Sequence, residues 1–299
     1  MDIPYNIEIL SAPSTLGLRS DGVELLAETL LRAGLAQRLQ VAHPVVQVPT
    51  LNEFRSKERD AATRCLNPHL IHKFSLDLGK TVTQTLDKQR FALVLGGDCS
   101  LLVGIMPALK VRGSYGLIFI DAHADFYSPE ASTSGEAADM DLAIVTGRGP
   151  TLLTNINDKQ PYVADQHVVH IGQRDWEETK HYGSPDIRDT AIRCFDLALI
   201  EEKGIVAIAA EVLEHIDSLP VDGYWIHFDT DVLSDDINPA VDYRLPDGLS
   251  FEQASYLMRH LLQTGRIAGM SITIYNPALD KTGTVAKGII GCLAQLFNE

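Results

Sequence analysis

Two short segments place carboxylates and an imidazole within a few residues of one another. Asp121-Ala122-His123-Ala124-Asp125 follows the apolar run Leu117-Ile118-Phe119-Ile120, and Asp229-Thr230-Asp231 follows Tyr224-Trp225-Ile226-His227-Phe228. Oxygen and imidazole donors at that density suit hard divalent cations. In extended chain Asp229 and Asp231 point to the same side, because side chains alternate with period two. A third apolar run, Phe91 to Leu95, ends in Gly96-Gly97-Asp98-Cys99-Ser100, where the glycines permit a tight turn that brings Asp98 or Cys99 towards the same point. Each fragment alone reads equally well as a helix cap or a turn, and His123 alone as a hydrogen-bonded core histidine. Together they form three strand ends that all offer ligand atoms. Carboxylates so crowded raise one another's pKa values unless cations neutralise them, and a pair of metal ions meets that need.

The elements that must position these residues are legible as hydrophobic patterns. Apolar runs at 7–10, 45–48, 91–95, 117–121, 167–172, 224–229 and 267–273 predict strands, and 23–40, 68–88, 101–110, 201–215 and 251–264 carry the spacing of amphipathic helices. Phe91-Ala92-Leu93-Val94-Leu95 is apolar on both faces, as a strand in a covered parallel sheet must be. The alternation predicts an α/β/α three-layer sandwich with a mainly parallel sheet. In such sheets ligands gather beyond the carboxyl ends of the strands, which is where the polar segments fall. There is no internal repeat, low-complexity tract or linker, so residues 1–299 read as one domain.

Bulk properties narrow the partners. A net charge of −15 argues against nucleic acid and anionic membrane surfaces, both of which attract basic proteins. No apolar run approaches the roughly 20 residues of a membrane span, and the N-terminus lacks the basic start and apolar stretch of a signal peptide. The four cysteines, Cys65, Cys99, Cys194 and Cys292, are widely spaced and suit a reducing cytoplasm with free thiols. A small-molecule substrate is the expected partner.

The order Gly96–Ser100, Asp121–Asp125, Ile171-Gly172-Gln173-Arg174-Asp175 and Asp229–Asp231, followed by Pro239-Ala240, Gly248-Leu249 and Asn276-Pro277, resembles the ureohydrolases. That superfamily includes arginase, agmatinase and formiminoglutamase. The resemblance implies a sheet of about eight strands and a dinuclear metal site, with manganese the first expectation. One ion would take Cys99, Asp121, Asp125 and Asp229, and the other Asp121, His123, Asp229 and Asp231. The chemistry implied is hydrolysis of a linear, non-peptide C–N bond in a guanidino, amidino or amide compound. A homo-oligomer, trimer or hexamer, is implied as well.

Three departures from the family pattern bear on that chemistry. Cys99 stands where the family has a metal-binding histidine; as thiolate it still binds, and it shifts preference towards zinc or iron. The other reading of Cys99 is a small buried thiol beside a weak or empty site. Ala138 occupies the position of a histidine that assists proton transfer, so Glu136, Asp139 or Asp141 either supplies an acid alongside Asp125 or only caps the helix predicted at 142–145. Ile274 stands two residues before Asn276-Pro277, where arginase and agmatinase carry a glutamate for the guanidinium. An unpaired buried cation is costly, so arginine is not the expected substrate. Tyr127, Ser134, Glu136 and Arg244 are the candidate substrate contacts. A ligand-binding or assembly protein that has lost catalysis is the second reading of the same departures.

Overall fold

The computed structural model describes residues 5–51 and 53–297. Its sheet contains β1 (Ile7–Ser11), β2 (Val46–Gln47), β3 (Phe91–Leu95), β4 (Tyr115–Ile120), β5 (Val168–Ile171), β6 (Arg193–Phe195), β7 (Gly223–Asp229) and β8 (Ile267–Thr273). The spatial order is β2-β1-β3-β8-β7-β4-β5-β6, and every neighbouring pair runs parallel. This is the α/β/α sandwich with a parallel sheet that strand–helix alternation predicts, and it has the eight strands that the resemblance implies.

Alternating side chains feed two separate cores. Ile118, Ile120, Ile226 and Phe228 pack beneath the helices Leu26–Arg32, Ile205–Ser218, Phe251–Gln263 and Thr284–Phe297. Leu117, Phe119 and Trp225 pack on the opposite face against Pro68–Asp87 and Leu102–Arg112. Each such side chain, fully buried, contributes about 1.5–3 kcal/mol relative to exposure. Ser250 starts Phe251–Gln263 with a reciprocal capping box to Gln253, which fixes where that helix begins.

Two predicted helices are broken in the structure. The 23–40 pattern becomes a 3-10 turn and the helices Leu26–Arg32 and Leu35–Arg38, and the 201–215 pattern falls across Leu197–Lys203 and Ile205–Ser218. The breaks fall at Gly34 (φ 96°) and Gly204 (φ 81°), backbone conformations outside the helical region. Strand β6 and the helix Thr284–Phe297 escaped the pattern analysis: β6 is a three-residue edge strand, and Gly288 and Gly291 dilute the helical signal of the other.

The strand order is what assembles the site. In the sequence the ends of β3, β4, β7 and β8 lie far apart. In the sheet, β3, β8, β7 and β4 are consecutive neighbours at about 4.8 Å spacing. Their carboxyl ends therefore open side by side.

Candidate active site

Each strand end is locked into a turn by its own carboxylates. After β3, the Asp98 side chain accepts from the backbone N–H groups of Ser100 (2.9 Å) and Gly17 (3.2 Å), which commits Asp98 to holding the turn. Gly97 is needed there because a Cβ would lie 1.7 Å from the Ser14 carbonyl oxygen. Of the two candidates in this segment, it is Cys99 that faces the other strand ends: its Sγ donates to Asp229 Oδ2 at 2.7 Å. After β4, Asp121 Oδ1 accepts from the His123 N–H at 2.7 Å, and after β7, Asp229 Oδ1 accepts from the Asp231 N–H at 2.8 Å. Asp231 reaches across to His123 Nδ1 at 2.9 Å, joining the β7 and β4 ends directly. Asp125 completes the group at φ 44°, a positive φ that marks strain at this turn.

Two donor groups result. The side-chain ligand atoms of Cys99, Asp121, His227 and Asp229 lie within 4.8 Å of one another and are all buried, and so do those of Asp121, His123 and Asp125. Asp121 belongs to both. Its Oδ2 is buried with no hydrogen-bond partner, a costly position for a carboxylate oxygen unless something positive faces it. The donor set therefore fits divalent cations.

The electrostatics agree. Burial, with the charges of neighbouring aspartates, pushes the carboxyls of Asp121 and Asp125 well above the usual range, and burial with the Asp231 charge does the same to Asp229. Burial and the Asp229 charge raise the Cys99 thiol. Asp231 moves the other way, because the attraction of His123 outweighs its burial. His123 in turn is raised to about 9 despite burial, by the Asp231 charge. Burial lowers His227 to about 3 and His170 to about 4, so both imidazoles are neutral. A metal-bound thiolate and carboxylates must shed their protons, and cations supply the field that lets them do so.

A pocket of about 380 Å³ opens onto the group. Beside the donor group its lining includes Leu18, Cys99, Ala138 and Ile274, which form one apolar cluster with Val23 and Val241. Its outer end is acidic, lined by Glu136, Asp139, Asp175, Glu178 and Asp242. Glu136 is fixed by the Arg19 N–H (2.5 Å) and the Tyr243 hydroxyl (2.6 Å). Asp139 Oδ2 accepts from Ser132 (2.9 Å) and Ser134 (2.8 Å), while burial still raises its carboxyl to about 7.

The arginase family model matches residues 6–295. The chain belongs to the arginase family. The arginase of Staphylococcus aureus (strain COL) is 32% identical over 302 aligned residues, covering 98% of this chain and 97% of that one. Among solved structures, the arginase of Bacillus caldovelox superposes with a TM-score of 0.87 at 27% identity, covering 100% of this chain and 99% of that one. The arginase of Bacillus cereus gives 0.85 at 26% identity, covering 99% of each chain. Membership makes the chain a metal-dependent C–N hydrolase of small molecules, and the buried donor groups suit the family's dinuclear metal dependence. Among the described residues no helix is long and apolar enough to cross a membrane.

Within the arginase-family frame, the expected ligand residues Cys99, Asp121, His123, Asp125, Asp229 and Asp231 all converge. Tyr127, Ser134, Glu136, Asp139 and Arg244 line the pocket, and Asp141 is not among its lining residues. Asp141 is fully buried, and neither of its carboxylate oxygens has a hydrogen-bond partner. No side chain caps the helix Asp141–Val145, so the capping reading of Glu136, Asp139 and Asp141 fails. Arg244 is held by Asp235 through two nitrogens, Nη2 to Oδ2 at 2.7 Å, at the exposed rim. Three residues were not singled out from the sequence. His227 shares the donor group of Cys99; its place two residues before Asp229 on one strand was a readable signal. His170 Nε2 meets the His123 carbonyl at 2.7 Å, and Arg174 Nη2 donates to the Asp231 carbonyl at 2.8 Å. Both brace ligand-bearing turns from other strands, contacts that only the sheet order creates.

Proposed function

We propose that this arginase-family hydrolase cleaves a linear, non-peptide C–N bond in a substrate other than arginine, one that meets the metals with a neutral amide or with an N-hydroxylated amidino or guanidino group, whose basicity the hydroxyl lowers. The observation that carries this is Ile274, which is 6% exposed and packed with Leu18, Ala138 and Val241 at the inner end of the pocket. Position 274 therefore offers a guanidinium no carboxylate. The acidic outer end favours a substrate whose far end is cationic, with Glu136 and Ser134 as polar contacts and Tyr127 as a wall. Arg244, already paired with Asp235, is available only to a group that displaces that carboxylate.

Cys99, Asp121, Asp125 and Asp229 would hold one ion, and Asp121, His123, Asp229 and Asp231 the other. Two divalent cations there would supply Lewis acidity and a nucleophile at neutral pH. Manganese is the family expectation, and the Cys99 sulfur draws the choice towards zinc or iron. Asp139 is the proton donor to the departing amine in place of the side chain missing at Ala138. It lines the pocket, and a carboxyl raised to about 7 keeps a substantial protonated fraction near neutral pH. Asp141, outside the pocket lining, acts on Asp125 through its charge rather than touching substrate. The reading extends to one domain over 1–299, acting in the cytoplasm as a homo-oligomer. The free thiols of all four cysteines support the compartment.

The test is a panel of guanidino, amidino, N-hydroxyguanidino and amide compounds on protein loaded with manganese, zinc or ferrous iron. Turnover of a neutral-headed compound at least tenfold above L-arginine in kcat/KM supports the reading, and L-arginine as best substrate defeats it.

A further inference from the structure

His227 is the one strong metal-binding side chain in the centre to which no role has been given. It lies on β7, two residues before Asp229 and on the same face, fully buried. Its ring stacks on Phe119, centroids 5.0 Å apart and planes 17° from parallel, which fixes the ring plane. One ring nitrogen, Nδ1, faces Ser271 Oγ at 2.9 Å. The other, Nε2, points to the strand ends, 3.4 Å from Thr273 Oγ1 and inside the group with Cys99 and the two shared carboxylates.

The serine beneath it can serve either tautomer of the ring. Ser271 Oγ accepts from Trp225 Nε1 at 3.1 Å, and an indole nitrogen only donates. The hydroxyl keeps one lone pair and one hydrogen for His227. It can donate to Nδ1, leaving a hydrogen on Nε2, or accept from an Nδ1 hydrogen, leaving a lone pair on Nε2. The second arrangement is the one in which metal-binding histidines are held, the far nitrogen donating to an oxygen that fixes the tautomer. Register places this support in the sheet itself, since His227 and Ser271 are partners across β7 and β8.

We propose that the ion on the Cys99 side is held by four donors, Cys99 Sγ, His227 Nε2, Asp121 and Asp229, with His227 supplying the nitrogen that position 99 no longer provides, and that this set selects a thiophilic ion such as zinc over manganese. Thiolate sulfur, imidazole nitrogen and carboxylate oxygen are all donors that zinc takes. The second group, Asp121, His123 and Asp125 with Asp231 alongside, is rich in oxygen and suits manganese. The two halves of the centre therefore differ in softness, and the protein takes up two different metals. This rests on the dinuclear reading above, and it reassigns the deeper ion from Asp125 to His227.

The experiment is metal titration of the full chain with zinc, manganese and cobalt(II), followed by metal analysis and cobalt absorption, on the wild type, His227→Asn and Ser271→Ala. The wild type should bind one thiophilic ion with a thiolate-to-cobalt charge-transfer band, and a second ion without one. Loss of a supporting hydrogen bond costs roughly 10–100-fold in metal affinity. Ser271→Ala should fall in that range for the thiophilic ion alone, and His227→Asn should exceed about 100-fold. A His227→Asn protein that binds both ions within about tenfold of wild type, with an unchanged cobalt band, would overturn the assignment. Should that variant not fold, Ser271→Ala decides: unaltered zinc affinity overturns it, and selective weakening supports it. Two tightly bound ions in a wild type insensitive to both substitutions would leave the dinuclear reading standing alone. Less than about half an equivalent of any metal would remove both.

Discussion

Replacing Ile274 with glutamate tests the substrate assignment most directly. In the wild type Ile274 places an aliphatic side chain, packed with Leu18, Ala138 and Val241, where a carboxylate could pair a guanidinium. A buried charge that lacks its partner costs about 3–5 kcal/mol. At about 1.36 kcal/mol per tenfold, Ile274→Glu should raise kcat/KM for L-arginine by roughly 10²–10⁴. The same change removes a buried branched side chain, worth about 1.5–3 kcal/mol, and places a carboxyl among apolar neighbours. The variant should therefore melt earlier than the wild type and recover when a guanidinium ligand is added. Backbone strain does not cancel this effect, because φ at 274 is 69° and glutamate, unbranched at Cβ, tolerates a positive φ no worse than isoleucine. The assay is steady-state kcat/KM for arginine and for a neutral-headed analogue on both proteins, with thermal unfolding in parallel. A wild-type value for arginine above about 10⁴ M⁻¹s⁻¹, an ordinary enzymatic rate, would refute the reasoning. So would a variant in which the ratio between the two substrates does not move.

Four further outcomes follow from the same geometry. If Asp139 donates the proton, activity falls as pH rises through about 7, because the donor must be protonated; Asp139→Asn should cost roughly 10²–10⁴ in kcat and abolish that limb, and an unchanged pH profile would rule Asp139 out. Cys99→His should shift metal uptake from zinc towards manganese, read by metal analysis after growth in both. Chelated protein should lose thermal stability as pH rises above about 4. Asp121, Asp125 and Asp229 have folded pKa values raised above their unfolded ones, so the folded state keeps protons there that the unfolded chain releases, and the stability present at low pH is lost on deprotonation; Asp231, shifted down, opposes this within the centre, as do lowered carboxyls such as Glu8 and Asp280 elsewhere. Adding metal should flatten that slope, and a chelated protein most stable at pH 8 would contradict it. Gly97→Ala should destabilise strongly or fail to fold, since the new Cβ meets a backbone oxygen rather than a movable side chain.

The parts of the molecule that were readable in advance share a physical cause. Strands β3, β4, β7 and β8 are largely apolar and almost wholly buried, so they stand out in any hydrophobicity pattern, and their polar ends mark the site. What stayed hidden depends on neighbours that the sequence does not order. Nothing in the pattern says that β8 lies between β3 and β7, and this placement alone puts Ser271 under His227 and Ile274 beside Cys99. The same applies to Asp139 and Asp141, two residues apart in one segment. One lines the pocket held by Ser132 and Ser134, and the other is sealed away with both oxygens unpartnered.

His227 shows where the limit lies. Its period-two relation to Asp229 was available from the start, yet a histidine within an apolar strand reads first as a satisfied core residue. Only the order β3-β8-β7, with Cys99 and Thr273 near its Nε2 and Ser271 beside it, turns that histidine into a donor facing the other strand ends. On the proposed assignment Cys99 and His227 act together as ligands to one ion. A thiolate alone in place of an imidazole would leave the deeper ion with sulfur and oxygen donors only. An imidazole brought up from the strand below restores a nitrogen and softens the site. Replacing Cys99 and His227 together should therefore be less than additive in zinc affinity, as expected of two ligands to one ion. Full additivity would place them at separate tasks.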